Sequence, residues 1–183
     1  SRSYEIEVGE GFNSIFTYRG LPGQEEGRWG NESWPDTMAF LDRCAEIGVK
    51  VLFDFSQNAM LDVHHAPPLE VIHDAITRLR HHPAILSWYL IDEPDGRKYP
   101  PEWVRAASAL IRSLDSSRPI SMCFDTTNRQ KGTWPEYVNS TDIVLADIYR
   151  VHGLETACTP ANGCNITEAV GDSIRATAAA TGK

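Results

Sequence analysis

Apolar runs of strand length alternate along the chain with stretches in which apolar residues recur every three or four positions. The apolar runs predict five strands, at 13–18, 49–55, 85–91, 119–124 and 143–148. The helical spacing predicts helices that follow Ser33, Pro68 and Pro101, a short helix at 134–138 and a last helix at 167–180. Strands that are apolar almost throughout and separated by amphipathic helices are typical of a parallel sheet covered by helices.

Polar side chains stand at the end of every predicted strand. In chain order they are Tyr18, Asp54 with Gln57, Asp92 with Glu93, Asp125, and Asp147 with Tyr149. Reactive groups in α/β proteins gather at the carboxyl ends of parallel strands. A doubly wound sheet would concentrate its ligand groups at one switch point after a glycine-rich turn, and no G-x-G-x-x-G motif follows a predicted strand. The spread over all strand ends favours a barrel.

The third predicted strand carries the strongest indication of chemistry. It ends in two adjacent carboxylates, Asp92 and Glu93, and Pro94 and Gly96 then stop it. Carboxyl groups at such an edge can serve general acid/base catalysis, and the simpler interpretation is that they only solvate the strand end. Neighbouring side chains on a strand point to opposite faces, so these two would face one basin only if the turn at Pro94 rotates one of them.

The segment from His82 to Pro94 resembles the fourth strand of the (β/α)8 glycoside hydrolases of the large retaining clan, which includes β-galactosidases, β-glucuronidases, cellulases and mannanases. Gly11-Phe12-Asn13 and the spacing of the later elements fit the same frame. The resemblance implies an α/β fold, a partial (β/α)8 TIM barrel with roughly the second to sixth strands and their helices. Residues 1–183 are then expected to form a single domain that is truncated at both ends.

The resemblance also implies that Glu93 is the general acid/base of an O-glycosidase, with carbohydrate as substrate and no cofactor. In the clan an asparagine that helps hold the sugar 2-hydroxyl usually precedes the acid. Here Asp92 stands in its place, and its charge would raise the pKa of Glu93, as an acid catalyst requires.

The second carboxylate of such an enzyme is missing from the sequence. In the clan the nucleophile is a glutamate after the seventh strand, and the predicted elements end before that strand. The two carboxyl groups must lie about 5–5.5 Å apart in a retaining enzyme and about 6.5–9.5 Å apart in an inverting one. We therefore expect the isolated chain to be inactive without the remainder of the barrel.

Further substrate contacts are expected from the strand ends. The candidates are Asp92, Trp88, Tyr149, Asp54, Gln57, Asp147, Tyr18 and Asp125. Trp88 would offer a sugar-stacking platform, or pack in the core if it points toward the helices. Asp54 and Gln57 would bind substrate hydroxyls or cap their own loop. Because a tyrosine near this edge often contacts the nucleophile in the clan, the resemblance gives Tyr149 weight.

Two other functions stay open. One is a catalytically inactive, carbohydrate-binding barrel that keeps the cleft. The other is a metal-dependent barrel enzyme that uses Asp54, His64 and Glu93. Adjacent histidines such as His64 and His65 diverge in most backbone conformations, so we predict no metal site. The fold alone does not separate these functions.

Length and charge exclude some classes of protein. The chain has 183 residues, fewer than the roughly 250 of a complete barrel. A formal net charge of −8 argues against nucleic acid as a partner. No apolar run approaches the roughly 20 residues of a membrane span, so no membrane partner is expected.

The cysteines and sequons bear on the compartment. Cys158 and Cys164 bracket a short loop and predict a local disulfide, whereas Cys44 and Cys123 lie in predicted elements as buried apolar residues. Glycosylation sequons begin at Asn31, Asn139 and Asn165. Together these features favour a secreted glycoprotein, with a cytoplasmic location as the alternative.

Overall fold

The computed structural model describes residues 9–16, 33–56, 60, 64–125 and 133–147, together with 175, 178, 179 and 182. The strands are β1 Ser14–Phe16, β2 Lys50–Asp54, β3 Ile85–Asp92, β4 Ile120–Asp125 and β5 Ile143–Asp147. The helices are α1 Trp34–Glu46, α2 Leu69–Leu79 and α3 Pro101–Leu114. Two short 3-10 turns, Trp134–Glu136 and Val138–Ser140, stand where a short helix was predicted. The predicted helix at 167–180 lies mostly outside the described residues.

The five strands form one sheet in the order β1-β2-β3-β4-β5, and every neighbouring pair is parallel. Each strand therefore lies beside its neighbour in sequence, without the order reversal of a doubly wound sheet. The sheet curls into a half-barrel with its helices, which confirms the predicted partial TIM barrel. This topology brings the carboxyl ends of all five strands to one edge.

Helix α1 begins where the sequence predicts, because Ser33 and Asp36 form a reciprocal cap. The Oγ of Ser33 accepts a hydrogen bond from the backbone N–H of Asp36 at 3.3 Å, and the Oδ2 of Asp36 accepts one from the N–H of Ser33 at 3.2 Å. Pro35 occupies the first turn, where its missing N–H costs nothing. The helix gives way to β2 at Gly48, whose φ of 77° suits a residue without a Cβ.

The buried core fills the layer between the sheet and the helices. Strand residues such as Phe53 and Leu90 meet helix residues such as Ile76 and Ile111, and most of this cluster has no exposed surface. Apolar burial of this kind is the main favourable contribution to folding. The core therefore fixes the curvature of the sheet on which the strand ends are displayed.

The guanidinium of Arg118 binds several backbone carbonyls around the amino end of β3. The guanidinium of Arg118 donates to the backbone carbonyl oxygens of Arg80, His82 (3.1 Å) and Ile85 (3.2 Å), and it pairs with Asp115 at 3.1 Å. These bonds join the loop after α2 to the loop after α3. The positive charge of Arg118 therefore interacts with carbonyl dipoles at the amino end of β3, and the acidic residues lie at the opposite end of the strand.

Replacing Ile76 by alanine should lower the free energy of unfolding by about 2–5 kcal/mol, because its side chain is fully buried between α2 and the sheet. Urea unfolding followed by circular dichroism measures this loss. The matched control is Thr77→Ala on the exposed side of the same helix, which should leave stability almost unchanged. Equal losses in the two variants would contradict the packing of α2 described above.

Candidate active site

Four carboxyl groups converge at the carboxyl ends of β3, β4 and β5, and we call Asp92, Glu93, Asp125 and Asp147 the acidic basin. Asp125 and Asp147 are direct partners in the register of β4 and β5. Asp92 closes β3 and lies opposite Cys123 on β4. Parallel register therefore gathers residues that are far apart in sequence, as predicted for the strand ends.

Glu93 has an unusual backbone conformation. Its φ is 46°, in the left-handed region that residues with a Cβ rarely adopt. The N–H of Glu93 donates to the carbonyl oxygen of Cys123 at 3.1 Å, and its own carbonyl accepts from the N–H of Arg97 at 3.0 Å. An irregularity in the register between Tyr89 and Asp92 precedes this turn. The turn rotates Glu93 toward the basin, so the adjacent residues Asp92 and Glu93 both face it. The usual alternation of side chains along a strand is therefore broken at this point.

The basin keeps Glu93 protonated to unusually high pH. Burial is the largest cause that raises the pKa of Glu93, followed by a hydrogen bond with the carboxyl group of Asp147. The negative charges of Asp147, Asp125 and Asp92 act in the same direction, and the pKa reaches about 7. Two carboxyl groups can share a hydrogen bond only when one carries a proton. Near neutral pH, Glu93 can therefore both give and accept a proton.

Asp92 is held by two neighbouring groups. Its Oδ1 accepts a hydrogen bond from the hydroxyl of Tyr89 at 2.7 Å, and its Oδ2 lies 3.4 Å from Nη2 of Arg97. Arg97 follows Glu93 in the turn, so the cation nearest to Asp92 belongs to the same segment. Both contacts fix the orientation of the carboxylate beside Glu93.

Asp54 lies at the end of β2 and is almost completely buried. Its Oδ1 accepts from both the backbone N–H (2.7 Å) and the Oγ (2.6 Å) of Ser56, so one oxygen caps its own loop. Its Oδ2 has no hydrogen-bond partner in the described part of the chain. Burial raises the pKa of Asp54 to about 7, against the lowering effect of the Ser56 bonds. The capping interpretation therefore holds for one oxygen, and hydroxyl binding by the other stays a prediction.

Trp88 does not belong to the basin, contrary to its proposed role as a sugar platform. It has no exposed surface, and its ring packs edge-on against Phe53 with centroids 5.9 Å apart. Its Nε1 donates to Oδ2 of Asp115, which directly follows α3, at 3.1 Å. The side chain therefore points toward the helices, and the following residue, Tyr89, is the aromatic that reaches the acids.

Cys123 and Cys44 are both buried free thiols, as predicted. Cys123 has the more unusual surroundings, since burial and the charges of Asp92, Asp147 and Glu93 raise the pKa of its thiol far above the ordinary value. A thiol that stays protonated is a poor nucleophile. Cys123 is therefore a buried thiol beside the acidic basin that stays protonated.

Asp95 is the residue that sequence reasoning missed. The residue is 4% exposed, its Oδ1 accepts from the N–H of Asp125 at 3.2 Å, and its Oδ2 accepts from Nε1 of Trp134 at 2.7 Å. The sequence Glu-Pro-Asp-Gly marks an ordinary turn, in which an aspartate usually bonds within its own loop. Only the burial of a charged residue would have drawn attention to it.

Several predicted residues lie outside the described part of the chain. They are Tyr18, Gln57, Tyr149, Cys158 and Cys164. His64 and His65 are described and exposed. Among the described residues, no three His, Cys, Asp or Glu side chains are arranged to hold a metal ion. No helix in the described segments is long and apolar enough to cross a membrane.

A sheet of five parallel strands that curls into a half-barrel, with acidic residues at its carboxyl edge, defines a partial TIM barrel. The family model described as "Glycosyl hydrolases family 2, TIM barrel domain" matches residues 34–153. The chain belongs to this family, and the match spans the segment from the start of α1 to beyond β5. No curated protein matches the chain.

Solved structures of glycosidases share the fold. The β-glucuronidase of Dictyoglomus thermophilum superposes with a TM-score of 0.65 at 16% identity over 97% of this chain and 31% of that protein. The β-glucuronidase of Ruminococcus gnavus in complex with D-glucuronic acid gives 0.58 at 19% identity over 81% and 24%. The family 2 β-galacturonidase of Eisenbergiella tayi bound to galacturonate gives 0.55 at 23% identity over 80% and 24%. The chain thus spans less than a third of the length of these proteins.

The raised pKa of Glu93 predicts a pH-dependent effect of Glu93→Gln. The folded state of the original chain holds its proton more tightly than the unfolded state, so the stability this provides is lost as pH rises from about 4.5 through 7. The shift corresponds to about 3 kcal/mol, and contact with water reduces this to about 1–2 kcal/mol. Relative to the original chain, the free energy of unfolding of Glu93→Gln should therefore rise by about 1–2 kcal/mol between pH 4.5 and pH 8.

Urea unfolding at the two pH values tests this expectation. Glu136→Gln, at an exposed glutamate of the first 3-10 turn, is the control and should show the same difference from the original chain at both pH values. A pH-independent effect of Glu93→Gln would mean that the carboxyl group has an ordinary pKa.

Proposed function

We propose that this chain carries the acid/base side of a glycoside hydrolase active site, with Glu93 as the proton donor. The observation that supports this most is a half-buried glutamate at the carboxyl edge of the barrel that shares a hydrogen bond with Asp147 and has a pKa of about 7. Membership of glycosyl hydrolase family 2 supports the same chemistry.

In this proposal Glu93 works in two steps. Protonated Glu93 donates its proton to the glycosidic oxygen while the second carboxylate attacks the anomeric carbon, so the glycosidic bond breaks and the leaving group departs as a neutral alcohol. The resulting Glu93 carboxylate then accepts a proton from the water that attacks the anomeric carbon and displaces the second carboxylate. A pKa near the working pH suits both steps, because the group must lose and regain the proton at similar cost.

The neighbouring acids support this cycle in different ways. When substrate binds, Asp147 replaces its hydrogen bond to Glu93 with one to the substrate. Asp92, which Tyr89 and Arg97 hold in place, accepts a hydrogen bond from a sugar hydroxyl. Oδ2 of Asp54 is a further acceptor for a hydroxyl group. Tyr18, Gln57 and Tyr149 complete the set of predicted contacts.

The second carboxylate of the reaction comes from outside this chain. Asp147 lies within hydrogen-bonding distance of Glu93, closer than the about 5–5.5 Å that separates the pair in a retaining enzyme. It therefore fits the role of proton partner and not that of nucleophile. The remainder of the barrel, in a longer protein like the structural relatives, would supply the missing group.

The proposal includes a secretory location. The Asn139 sequon lies at an exposed position of the second 3-10 turn, and the expected Cys158–Cys164 disulfide requires an oxidising compartment. A cytoplasmic location is the alternative, in which both cysteines stay reduced.

Glu93→Gln in the longer enzyme should reduce kcat/KM for alkyl glycosides by about 10²–10⁴-fold, because the leaving alkoxide then departs without a proton. Dinitrophenyl glycosides should be affected far less, since their leaving group needs no protonation. Steady-state kinetics with both substrates measure the difference, and Glu136→Gln is the control.

Equal losses on both substrates would contradict acid catalysis by Glu93. Substrate binding without turnover in the original enzyme would instead indicate the inactive carbohydrate-binding barrel. Turnover by the isolated 183-residue chain that Glu93→Gln abolishes would contradict the missing second carboxylate.

Expression in a eukaryotic secretory host should add a glycan at Asn139. The electrophoretic mobility of the secreted chain should then change on treatment with a peptide N-glycosidase, and Asn139→Gln should remove part of that change. A chain that is retained unglycosylated in the cell would support the cytoplasmic alternative.

A further inference from the structure

The buried carboxylate of Asp95 joins three parts of the chain that meet beside the acidic basin. It sits in the turn after β3 and accepts one hydrogen bond from the N–H of Asp125 at the end of β4. Its other oxygen accepts from the indole Nε1 of Trp134, at the start of the first 3-10 turn. Trp134 is itself 1% exposed and packs on Phe124 with ring centroids 5.5 Å apart. Both donors are therefore anchored in the core.

The turn that these bonds hold is the one that carries Glu93. A left-handed backbone at a glutamate is strained and persists only where the surroundings determine it. The N–H of Glu93 donates to Cys123, and the N–H of Tyr99 donates to the carbonyl of Pro94 at 2.9 Å, so the backbone of the turn is tied at both ends. Between these ties, the side chain of Asp95 adds a second connection to β4, at its last residue, Asp125.

We propose that Asp95 is the positioning residue for Glu93: through the N–H of Asp125 and the indole of Trp134, its carboxylate holds the turn so that the Glu93 carboxyl stays against Asp147. The catalytic importance of this contact rests on the proposed function, in which Glu93 is the acid/base. The position itself does not depend on that function.

Asp95 acts on Glu93 through geometry. Among the described residues, the titratable groups around Glu93 are Asp147 on β5, Asp125 and Cys123 on β4, and Asp92 on β3. The charges of the three aspartates raise the pKa of Glu93. If the turn relaxes and Glu93 moves away from Asp147, the hydrogen bond and much of this repulsion are lost. The pKa of Glu93 then falls toward the ordinary value of a glutamate.

Two variants separate position from charge. Asp95→Asn removes the charge and presents an amide N–H₂ to one of the two donors. Trp134→Phe keeps the charge and removes only the indole donor. Trp88→Phe is the matched control, because Trp88 likewise donates its Nε1 to a buried aspartate, Asp115, but at the other end of the strands.

The measurement is a carboxyl ¹³C NMR titration of Glu93 in the 183-residue chain and the three variants. In both Asp95→Asn and Trp134→Phe, we expect the proton dissociation constant of Glu93 to rise about tenfold, the loss of roughly one pKa unit. Trp88→Phe should leave it unchanged. Circular dichroism confirms that each variant is folded before it is titrated.

Any other pattern overturns the proposal. An unchanged pKa of Glu93 in both variants would mean that the turn keeps its conformation without Asp95. A changed pKa in only one variant would indicate that the charge of Asp95 alone, or Trp134 alone, is responsible. Equal changes in all three variants would indicate a general loosening of the fold. Because the titration uses no substrate, it separates failure of this inference from failure of the glycosidase proposal, which the leaving-group kinetics test.

Discussion

Four carboxyl groups placed within reach of one another can exist at neutral pH only if they share protons or acquire compensating partners. The parallel register of β3, β4 and β5 forces this crowding, because it aligns Asp92, Asp125 and Asp147 at one edge. The hydrogen bond between Glu93 and Asp147 is the response to it, since a shared proton removes one of the repelling charges. The left-handed backbone of Glu93 in the turn after β3 allows this contact.

The two edges of the sheet differ in how their charges are balanced. At the amino edge the guanidinium of Arg118 binds three backbone carbonyls and pairs with Asp115. At the carboxyl edge, among the described residues, Arg97 pairs with Asp92, and Glu93 shares a hydrogen bond with Asp147. TIM barrels divide stability and chemistry between their two ends in this way.

Sequence patterns predicted the order and type of the elements because apolar periodicity and proline or serine at helix starts are local signals. Ser33 shows this, since its cap needs only a residue three positions later. The direction in which an individual side chain points from the sheet was not predictable in the same way. Strand alternation puts Trp88 and Tyr89 on opposite faces, but the register irregularity after Tyr89 and the left-handed Glu93 decide that Tyr89, Asp92 and Glu93 lie together. Asp95 resembles any turn aspartate until its donors from β4 and Trp134 are known.

The backbone conformation at position 93 favours residues other than glutamate. A glycine or an asparagine adopts a φ of 46° with less steric conflict than glutamate and brings no carboxyl group into the crowded edge. Selection for thermal resistance alone would therefore drive this position away from glutamate. Wherever glutamate persists there through many rounds of mutation, something other than folding must be retaining it.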